Sequence, residues 1–347
     1  MKVGRRAFLG TASGAGLAVL MPQIAVAQPA GDAVLRARLT GLGTRAALRW
    51  GVVGSELGIP YAVDRREVRF LFGDTFGTPW PQTGRESTPA VMLSSHAQPG
   101  DIMFDSGRSA GSIASGRAGL GVDGIWEETV LPTDGICLPD GRHVISYVSV
   151  SRREGASYRT SYAGLALSNH GTDFRRTSTK WWNNPTQDDP FQLSTMQRDD
   201  DWVYVFSVPS GRSTGAMMLR RVRCDRILDP AMYEGWNAHD GTWGRPCTPI
   251  LRGAFGEPSV RRLIGGCWVM SYLNSTRNHI VTRTATHPTG PWSHEKVQLT
   301  PAQEPGLYGG FIHPWSTPDS LHLIVSARHS VAGVSTAYRV SQYIGSA

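Results

Sequence analysis

Short runs of apolar residues, separated by polar and glycine-rich turns, recur along most of the chain. The runs are rich in β-branched and aromatic residues, which favour strands. Outside the N-terminal segment, no run shows the 3.6-residue period of an amphipathic helix. The pattern therefore predicts an all-β protein. The predicted strands are 59–63, 68–72, 135–138, 143–149, 162–167, 202–208, 216–222, 259–264, 267–272, 279–284, 309–313, 321–327 and 335–343.

A weak internal repeat indicates how these strands are arranged. Segments 165–174 and 284–293 share the order strand, polar turn, glycine, aromatic residue, as expected for the outer hairpin of a propeller blade. Residues 256–293 have the pattern of one complete blade. Because a four-stranded blade takes about 40–50 residues, the chain has room for roughly five to seven blades. A β-propeller is favoured over a sandwich or barrel, since radial repetition also protects strand edges.

Residues 77–130 differ from the rest of the chain. They are rich in Gly, Ser, Pro and Arg and contain few apolar runs. This composition predicts an irregular surface insertion. It would either shape the rim of a cleft or be a loop without a role.

The first 27 residues have the pattern of an export signal. Arg5 and Arg6 precede an apolar run that continues to Met21, and small residues at 25–27 suit cleavage. The twin arginine indicates the bacterial Tat route. An uncleaved anchor is the alternative, although the run is short for a membrane span. We expect residues 28–347 to be a single catalytic propeller domain, secreted or in the cell envelope, with no stable membrane association.

Charge and cysteine content narrow the possible functions. Removing the signal, which holds three cations and no acids, lowers the formal net charge from +7 to +4. No basic run accompanies this charge, so we do not expect nucleic-acid binding. The four cysteines form either disulfides or buried thiols. The sequence contains neither the CxxC nor the HExxH spacing that would predict a metal site. We expect no cofactor, leave a structural cation in the central channel open, and expect a monomer.

Two acids are predicted to face each other across a hairpin. With the turn at 64–67 centred on Arg65, Glu56 lies opposite Asp74. Directly opposed residues have Cβ atoms about 4.5–5.5 Å apart. The two carboxyls of retaining glycosidases are about 5–5.5 Å apart, and those of inverting ones about 6.5–9.5 Å apart. A turn shifted by half a residue would pair Glu56 with Thr75 instead. Paired acids can also be surface or structural groups.

Further candidates are residues that suit sugar binding. Glu257 begins a strand, where it could contact substrate or cap the backbone. Tyr308 and His313 lie on either side of two glycines, and both are candidates for lining a sugar-binding funnel. The alternative for His313 is a core histidine. Trp181 and Trp182 precede two asparagines, and aromatic faces with amides suit sugar rings and hydroxyls. Packing at a blade edge is the alternative for both tryptophans.

Two familiar motifs and one acid are given no chemical role. Residues 211–215 fit GxSxG, but they lie between two predicted strands, whereas a nucleophile elbow needs a following helix. Residues 119–124 fit GxGxxG without the strand and helix of a dinucleotide site. Asp134 is interpreted as a turn residue.

Four segments, in this order, resemble motifs of the bacterial endo-D-arabinofuranases. They are 54–60, 70–76, 256–260 and 308–314, and the resemblance extends from about 45 to 345. It implies a five-bladed β-propeller. It also implies endo-hydrolysis, with retention, of the D-arabinan in mycobacterial-type arabinogalactan and lipoarabinomannan.

The catalytic pair of that family corresponds to Glu56 and Asp74, and the sequence departs from it at Glu56, where the family has aspartate. One extra methylene displaces a carboxyl by about 1 Å, and misplacement of that order can cost about a hundredfold in rate. Three hypotheses follow. Asp74 is the nucleophile and Glu56 the acid/base, or the reverse, with Glu257 and His313 orienting substrate. The propeller binds wall polysaccharide without chemistry. Or an inverting enzyme uses Asp74 as base and Glu257 as acid.

Overall fold

Five antiparallel sheets form the blades of a β-propeller. A computed structural model describes residues 31–78, 91–109, 119–121, 124–154, 157–331 and 335–347. Within them the chain is almost entirely strand and turn, with one short α-helix and three single-turn 3₁₀ helices. The predictions of an all-β protein and of five blades are confirmed. The predicted export signal lies outside the described residues.

The strands follow one another in blade order. After β1 (Val34–Arg38) and α1 (Arg45–Trp50), the first blade contains β2 (Gly54–Ala62), β3 (Val68–Phe76), β4 (Val91–Ser95) and β5 (Ser106–Ser109). A two-stranded ribbon of β6 (Gly119–Leu120) and β7 (Trp126–Glu127) precedes the second blade, which contains β8 (Thr129–Cys137), β9 (His143–Glu154), β10 (Ser157–Ser168) and β11 (Arg175–Trp182).

The third blade is the largest. It contains β12 (Leu193–Asp199), β13 (Trp202–Val208), β14 (Thr214–Arg223), β15 (Glu234–Asn237), β16 (Thr242–Gly244) and β17 (Leu251–Ala254). The fourth contains β18 (Ser259–Arg262), β19 (Trp268–Asn274), β20 (His279–Ala285) and β21 (Lys296–Leu299). The fifth contains β22 (Leu307–Ile312), β23 (Leu321–Val331) and β24 (Ser335–Gly345), with 3₁₀ turns elsewhere at Pro99–Asp101, Cys224–Arg226 and Pro230–Met232.

The ring is closed by the two ends of the described chain. β1 pairs antiparallel with β24, so the fifth sheet has the order β1-β24-β23-β22. The innermost strands β2, β8, β12, β18 and β22 contact one another around the axis. A parallel bridge between Glu257 and Gly309 shows that neighbouring inner strands run in the same direction. Their first residues therefore meet at one mouth of the central channel and their last residues at the other.

Both faces of each blade are buried against neighbouring blades, which explains the continuous apolar runs. All seven residues of β19 are buried, and so are the first eight of β2. Phe70 and Phe72 of β3 pack edge-on against Phe104, with ring centroids 5.2 and 6.0 Å apart. A strand buried on two sides shows no polar alternation, so its apolar run identifies the strand but not its blade.

Several expectations were wrong. The segment 77–130, predicted to be an insertion, contains β4 and β5, which complete the first blade. These outer strands are short and rich in Ser, Gly and Arg, so their apolar signal is weak. The helix α1 was not predicted, because six residues are too few to show a helical period; the Thr44 side chain caps it by accepting from the Ala47 amide at 3.3 Å. The glycine segment 119–124 is described only in part, since 122 and 123 lie outside the described residues.

The structure also bears on the cysteines, on metal ligands and on membrane-spanning helices. All four cysteines belong to the described part of the chain, and each is a free thiol. Among the described residues no group of His, Cys, Asp and Glu is arranged to hold a metal ion. No helix among them is long and apolar enough to cross a membrane.

Candidate functional site

The hairpin of β2 and β3 has the predicted register. Tyr61 pairs with Arg69 and Ser55 pairs with Thr75, so the hairpin is centred on Arg65. Two bulges interrupt the ladder between these pairs and compensate each other, because the register is the same on both sides of them. The sequence therefore predicts the register of the hairpin but not the two bulges.

The first bulge determines what faces Glu56. Leu57 pairs with Phe72, which leaves Glu56 opposite both Gly73 and Asp74. The backbone of Leu57 has a φ of 69°, in the left-handed region that residues with a side chain seldom adopt. Strained backbone of this kind clusters at functional sites, where surrounding packing maintains it.

The two acids are buried and hydrogen-bonded at this bulge. Glu56 has no exposed surface, and its Oε1 accepts a hydrogen bond from the Asp74 amide at 3.2 Å. Asp74 is also buried, and its Oδ1 accepts from the Thr129 hydroxyl at 2.9 Å. Gly73 leaves room for the Glu56 carboxylate, since a Cβ at this position would lie only 2.8 Å from Glu56 Oε1. The structure therefore brings the predicted pair together at the mouth where the inner strands begin.

A third acid and a tyrosine join the pair from the fourth and fifth blades. Arg212 donates to Glu257 from Nη2 to Oε1 at 2.9 Å, and from Nε to both carboxylate oxygens at 3.2 and 3.3 Å. The same guanidinium lies over the ring of Tyr308, 3.7 Å from its centroid. Burial raises the pKa of Tyr308 well above its usual value, and the charge of Glu56 raises it further. Tyr308 therefore lies near Glu56 with its hydroxyl protonated.

Arg212 is the residue beside these groups that the sequence did not reveal. It belongs to the GxSxG segment, which begins in the loop between β13 and β14 and ends in the first residues of β14, so the segment connects two strands, as predicted. Burial alone would lower the pKa of Arg212, but the Glu257 carboxylate outweighs it and the pKa is raised. Its backbone φ of 58° is left-handed. An arginine beside a glycine in a tight hairpin is a weak signal, because its partner is 45 residues away in the chain.

His313 lies far from these groups. It follows Tyr308 by five residues along an inner strand, which corresponds to roughly 16 Å. It is fully buried, and its ring packs against Phe70 and Trp315 at centroid distances of 5.9 and 5.6 Å. Burial lowers its pKa to about 3, so the ring is neutral. The position of His313 does not support a role beside the acids, and its burial agrees with the alternative interpretation of a core histidine.

The two tryptophans lie on β11, the outermost strand of the second blade. Three strand spacings separate it from the inner strand, or about 14 Å. Trp181 packs edge-on against Tyr233 at 5.2 Å and beneath the guanidinium of Arg220 at 4.7 Å, as expected for packing between blades. Trp182 is 58% exposed and rests on Tyr162. Neither contacts the acids, so a role beside them is not supported by their position.

Asp134 is not the turn residue that the sequence predicted. Its carboxylate is buried near the axis and forms two hydrogen bonds with Arg261, at 2.7 and 2.8 Å. It also accepts from the Thr195 hydroxyl at 2.7 Å. Arg261 donates to the Pro60 carbonyl at 2.8 Å. The Pro-Thr-Asp-Gly segment is typical of a turn, and only the ring of blades shows that this aspartate is opposite an arginine.

The fold and the site define a five-bladed propeller with buried carboxylates at one mouth of its channel. The chain belongs to the family described as Domain of unknown function (DUF4185), whose sequence profile matches residues 43–344. It is 49% identical over 313 residues to Notoamide biosynthesis cluster protein J' of Aspergillus versicolor, covering 85% of this chain and 86% of that one. It is 31% identical over 167 residues to an uncharacterised 35.9 kDa protein of Mycolicibacterium smegmatis, covering 44% of this chain and 50% of the relative.

Solved structures share the fold at low sequence identity. An exo-β-1,3-galactanase of Phanerochaete chrysosporium superposes with a TM-score of 0.58 at 10% identity, over 90% of this chain and 64% of the galactanase. This chain therefore spans less than two thirds of that enzyme. An α-L-arabinofuranosidase of Podospora anserina superposes with a TM-score of 0.53 at 11% identity, over 92% and 98%.

Proposed function

We propose that the protein is a glycoside hydrolase whose catalytic acids are Glu56 and Asp74. The proposal depends on one observation: two buried carboxylates, on adjacent strands, meet at the mouth where all five inner strands begin. Cleavage of a glycosidic bond needs such a pair, one to protonate the leaving oxygen and one to act at the anomeric carbon. The shared fold with a galactanase and an arabinofuranosidase supports this reaction class.

In the mechanism that we favour, the reaction proceeds with retention. Asp74 attacks the anomeric carbon while Glu56 protonates the leaving oxygen, and Glu56 then removes a proton from the water that releases the sugar. The Thr129 hydroxyl orients the Asp74 carboxylate, and the Asp74 amide orients that of Glu56. In both contacts the carboxyl oxygen is the acceptor, so neither carboxyl has to donate a proton to be held in place. The longer Glu56 side chain reaches over Gly73, which suits a group that must reach a glycosidic oxygen.

Glu257 is a positioning group in this mechanism. Both of its oxygens accept hydrogen bonds from Arg212, so the guanidinium already occupies the carboxylate that would have to reach a leaving oxygen. This disfavours the inverting alternative, in which Glu257 is the general acid. The configuration of the first product, followed by NMR, separates the two mechanisms, since inversion and retention give opposite anomers.

The substrate that we propose is a D-arabinan of mycobacterial-type cell walls, cut internally. The four sequence motifs support it. Export by the Tat route, which we also propose, would bring the enzyme to such a polymer. The formal charge of +4 after signal removal suits a neutral or weakly anionic polysaccharide.

A second candidate is an activity of the same site on a small metabolite. Relatives with 49 and 45% identity are named for a notoamide biosynthesis cluster, and they match 85 and 95% of this chain. A small-molecule substrate would be converted without any release of oligosaccharides from polymer.

The test is to incubate residues 28–347 with arabinogalactan and to resolve the products by anion-exchange chromatography. We expect a ladder of arabino-oligosaccharides. The substitutions Asp74→Asn and Glu56→Gln should each abolish it, while circular dichroism and the melting temperature remain close to those of the wild type. Wild-type turnover by both variants would refute the assignment of the acids. A folded wild-type protein that binds the polymer but releases nothing would support a binding propeller instead.

A further inference from the structure

A second cavity opens at the opposite mouth of the propeller, where the inner strands end. It has a volume of about 850 Å³, within the range of about 300–1,000 Å³ that small-molecule sites occupy. Residues at or just beyond the ends of all five inner strands line it, among them Ala62, Cys137, Arg198, Arg262 and Trp315. Six residues of β2 separate Glu56 from Ala62, which is about 20 Å along the axis.

The two mouths are not connected through the channel. The ion pair of Arg261 and Asp134 crosses it, and both side chains are at most 4% exposed. Above this pair, the space beside Tyr158 and Phe311 is only about 10 Å³. This is too small for more than about one water. The cavity at the ends of the inner strands, which we call the lower cavity, is therefore separate from the site of Glu56 and Asp74.

The charges around the lower cavity indicate what it would bind. Arg261 pairs with Asp134, Arg262 with Asp199 and Asp201 with Arg223. The remaining charged lining residues are two arginines and two aspartates: Arg65, Arg198, Asp64 and Asp200. A balanced set favours neither an anion nor a cation. It offers many donors and acceptors, which is what a neutral, hydroxyl-rich ligand requires.

The cavity also has an aromatic surface. Trp315 is half-buried, and its ring meets that of His313 nearly edge-on, at 5.6 Å and 73°. Since His313 is fully buried, this contact helps to hold the indole in one orientation. An indole that lines a cavity suits the apolar C–H face of a sugar ring. Arg198, an exposed residue of the lining, donates to the Cys137 carbonyl at 3.1 Å.

We propose that this lower cavity is a second, non-catalytic binding site for a neutral oligosaccharide, with Trp315 as its stacking surface and Arg198 as a hydrogen-bond donor. The identity of the sugar rests on the proposed function, whereas the existence of the site does not. A site on the opposite face would hold a further stretch of polymer and keep the enzyme on its substrate between cleavages.

The experiment observes Trp315 directly. The protein is labelled with ¹⁵N-tryptophan in an Asp74→Asn background, so that ligand is not consumed, and the eleven indole signals are followed during titration with arabino-oligosaccharides. The signal of Trp315 is assigned with Trp315→Phe. It should shift saturably, whereas that of Trp236, on the outer ribbon of the third blade, should not move.

A matched variant tests the lining. Arg198→Gln removes a charged donor from the cavity and leaves the acids untouched, so it should raise the dissociation constant measured at Trp315 by about tenfold or more. A Trp315 signal that does not move, or an affinity unchanged by Arg198→Gln, would overturn the inference. So would an equal shift with inorganic phosphate, which would indicate an anion site.

The two proposals fail separately. If the wild type releases oligosaccharides but Trp315 does not respond, only the second site is refuted. If Trp315 responds and the wild type releases nothing, the second site is supported and the hydrolase proposal is refuted.

Discussion

The close contact between Gly73 and Glu56 leads to a quantitative prediction. In Gly73→Ala the new Cβ would lie 2.8 Å from Glu56 Oε1 and 3.0 Å from its Cγ. Ordinary van der Waals contact begins near 3.4 Å, so the carboxylate must move by about 0.6 Å. The φ of Gly73 is not in the left-handed region, so alanine suits the backbone and the effect falls on the side chain.

The expected loss of activity follows from this displacement. A misplacement of about 1 Å can cost about a hundredfold in rate. For about 0.6 Å we expect kcat/KM on arabinan to fall about ten- to a hundredfold, or about 1.4–2.7 kcal/mol in activation free energy. Overpacking should also lower the free energy of unfolding, by about 1–3 kcal/mol. Both are measured on one preparation, by reducing-end release and by urea unfolding.

Gly77→Ala is the matched control. Gly77 lies just beyond the same strand, and the nearest atom to an added Cβ there is 3.9 Å away. We expect it to be neutral in both assays. The reasoning is refuted if Gly73→Ala keeps kcat/KM within about twofold of the wild type, since the position of Glu56 would then be irrelevant to the rate. It is also refuted if Gly77→Ala loses as much activity as Gly73→Ala.

Three further predictions concern buried charges. Arg212→Gln leaves Glu257 buried without its cation and should lower the free energy of unfolding by about 3–5 kcal/mol, and adding Glu257→Gln should recover most of that loss in urea unfolding. Arg261→Met should destabilise by a similar amount through Asp134, and Arg261→Met with Asp134→Asn should be more stable than Arg261→Met alone; equal stabilities would argue against the axial ion pair. The unfolded chain protonates His313 near pH 6.5 and the folded protein only near pH 3. The contribution of His313 to the free energy of unfolding should therefore be lost as the pH falls between these values, by roughly 1.4 kcal/mol per pH unit. His143, whose pKa burial lowers to about 4, adds to the total decrease, and His313→Asn should show the shallower slope.

Local pattern was sufficient to predict the hairpin of β2 and β3. The polar turn at 64–67 and the apolar runs on either side of it specify a register, because side chains alternate with a period of two and a shift by one residue would move every side chain to the other face. The observed pairing of Ser55 with Thr75 agrees with that register. The pairing of Leu57 with Phe72 could not be predicted, since a bulge depends on contacts outside the hairpin. The Leu57 amide donates to Ser326, 269 residues away.

Residues that act through distant partners were the ones misinterpreted. Asp134 and Arg212 both lie in segments with turn composition, and each is held by an ion pair with the fourth blade. His313 has the sequence surroundings of a site residue, but its position at the far end of an inner strand places it in the core.

By itself, the sequence determined the all-β class, the repeated blades and the opposition of Glu56 and Asp74, because strand propensity, turn composition and register are properties of neighbouring residues. Only the tertiary structure decided which mouth of the channel each side chain faces. It also decided that Arg212, Glu257 and Tyr308 join the acids, and that an ion pair separates that site from the cavity below. These relations arise when five blades close into a ring, which brings together residues that no local pattern connects.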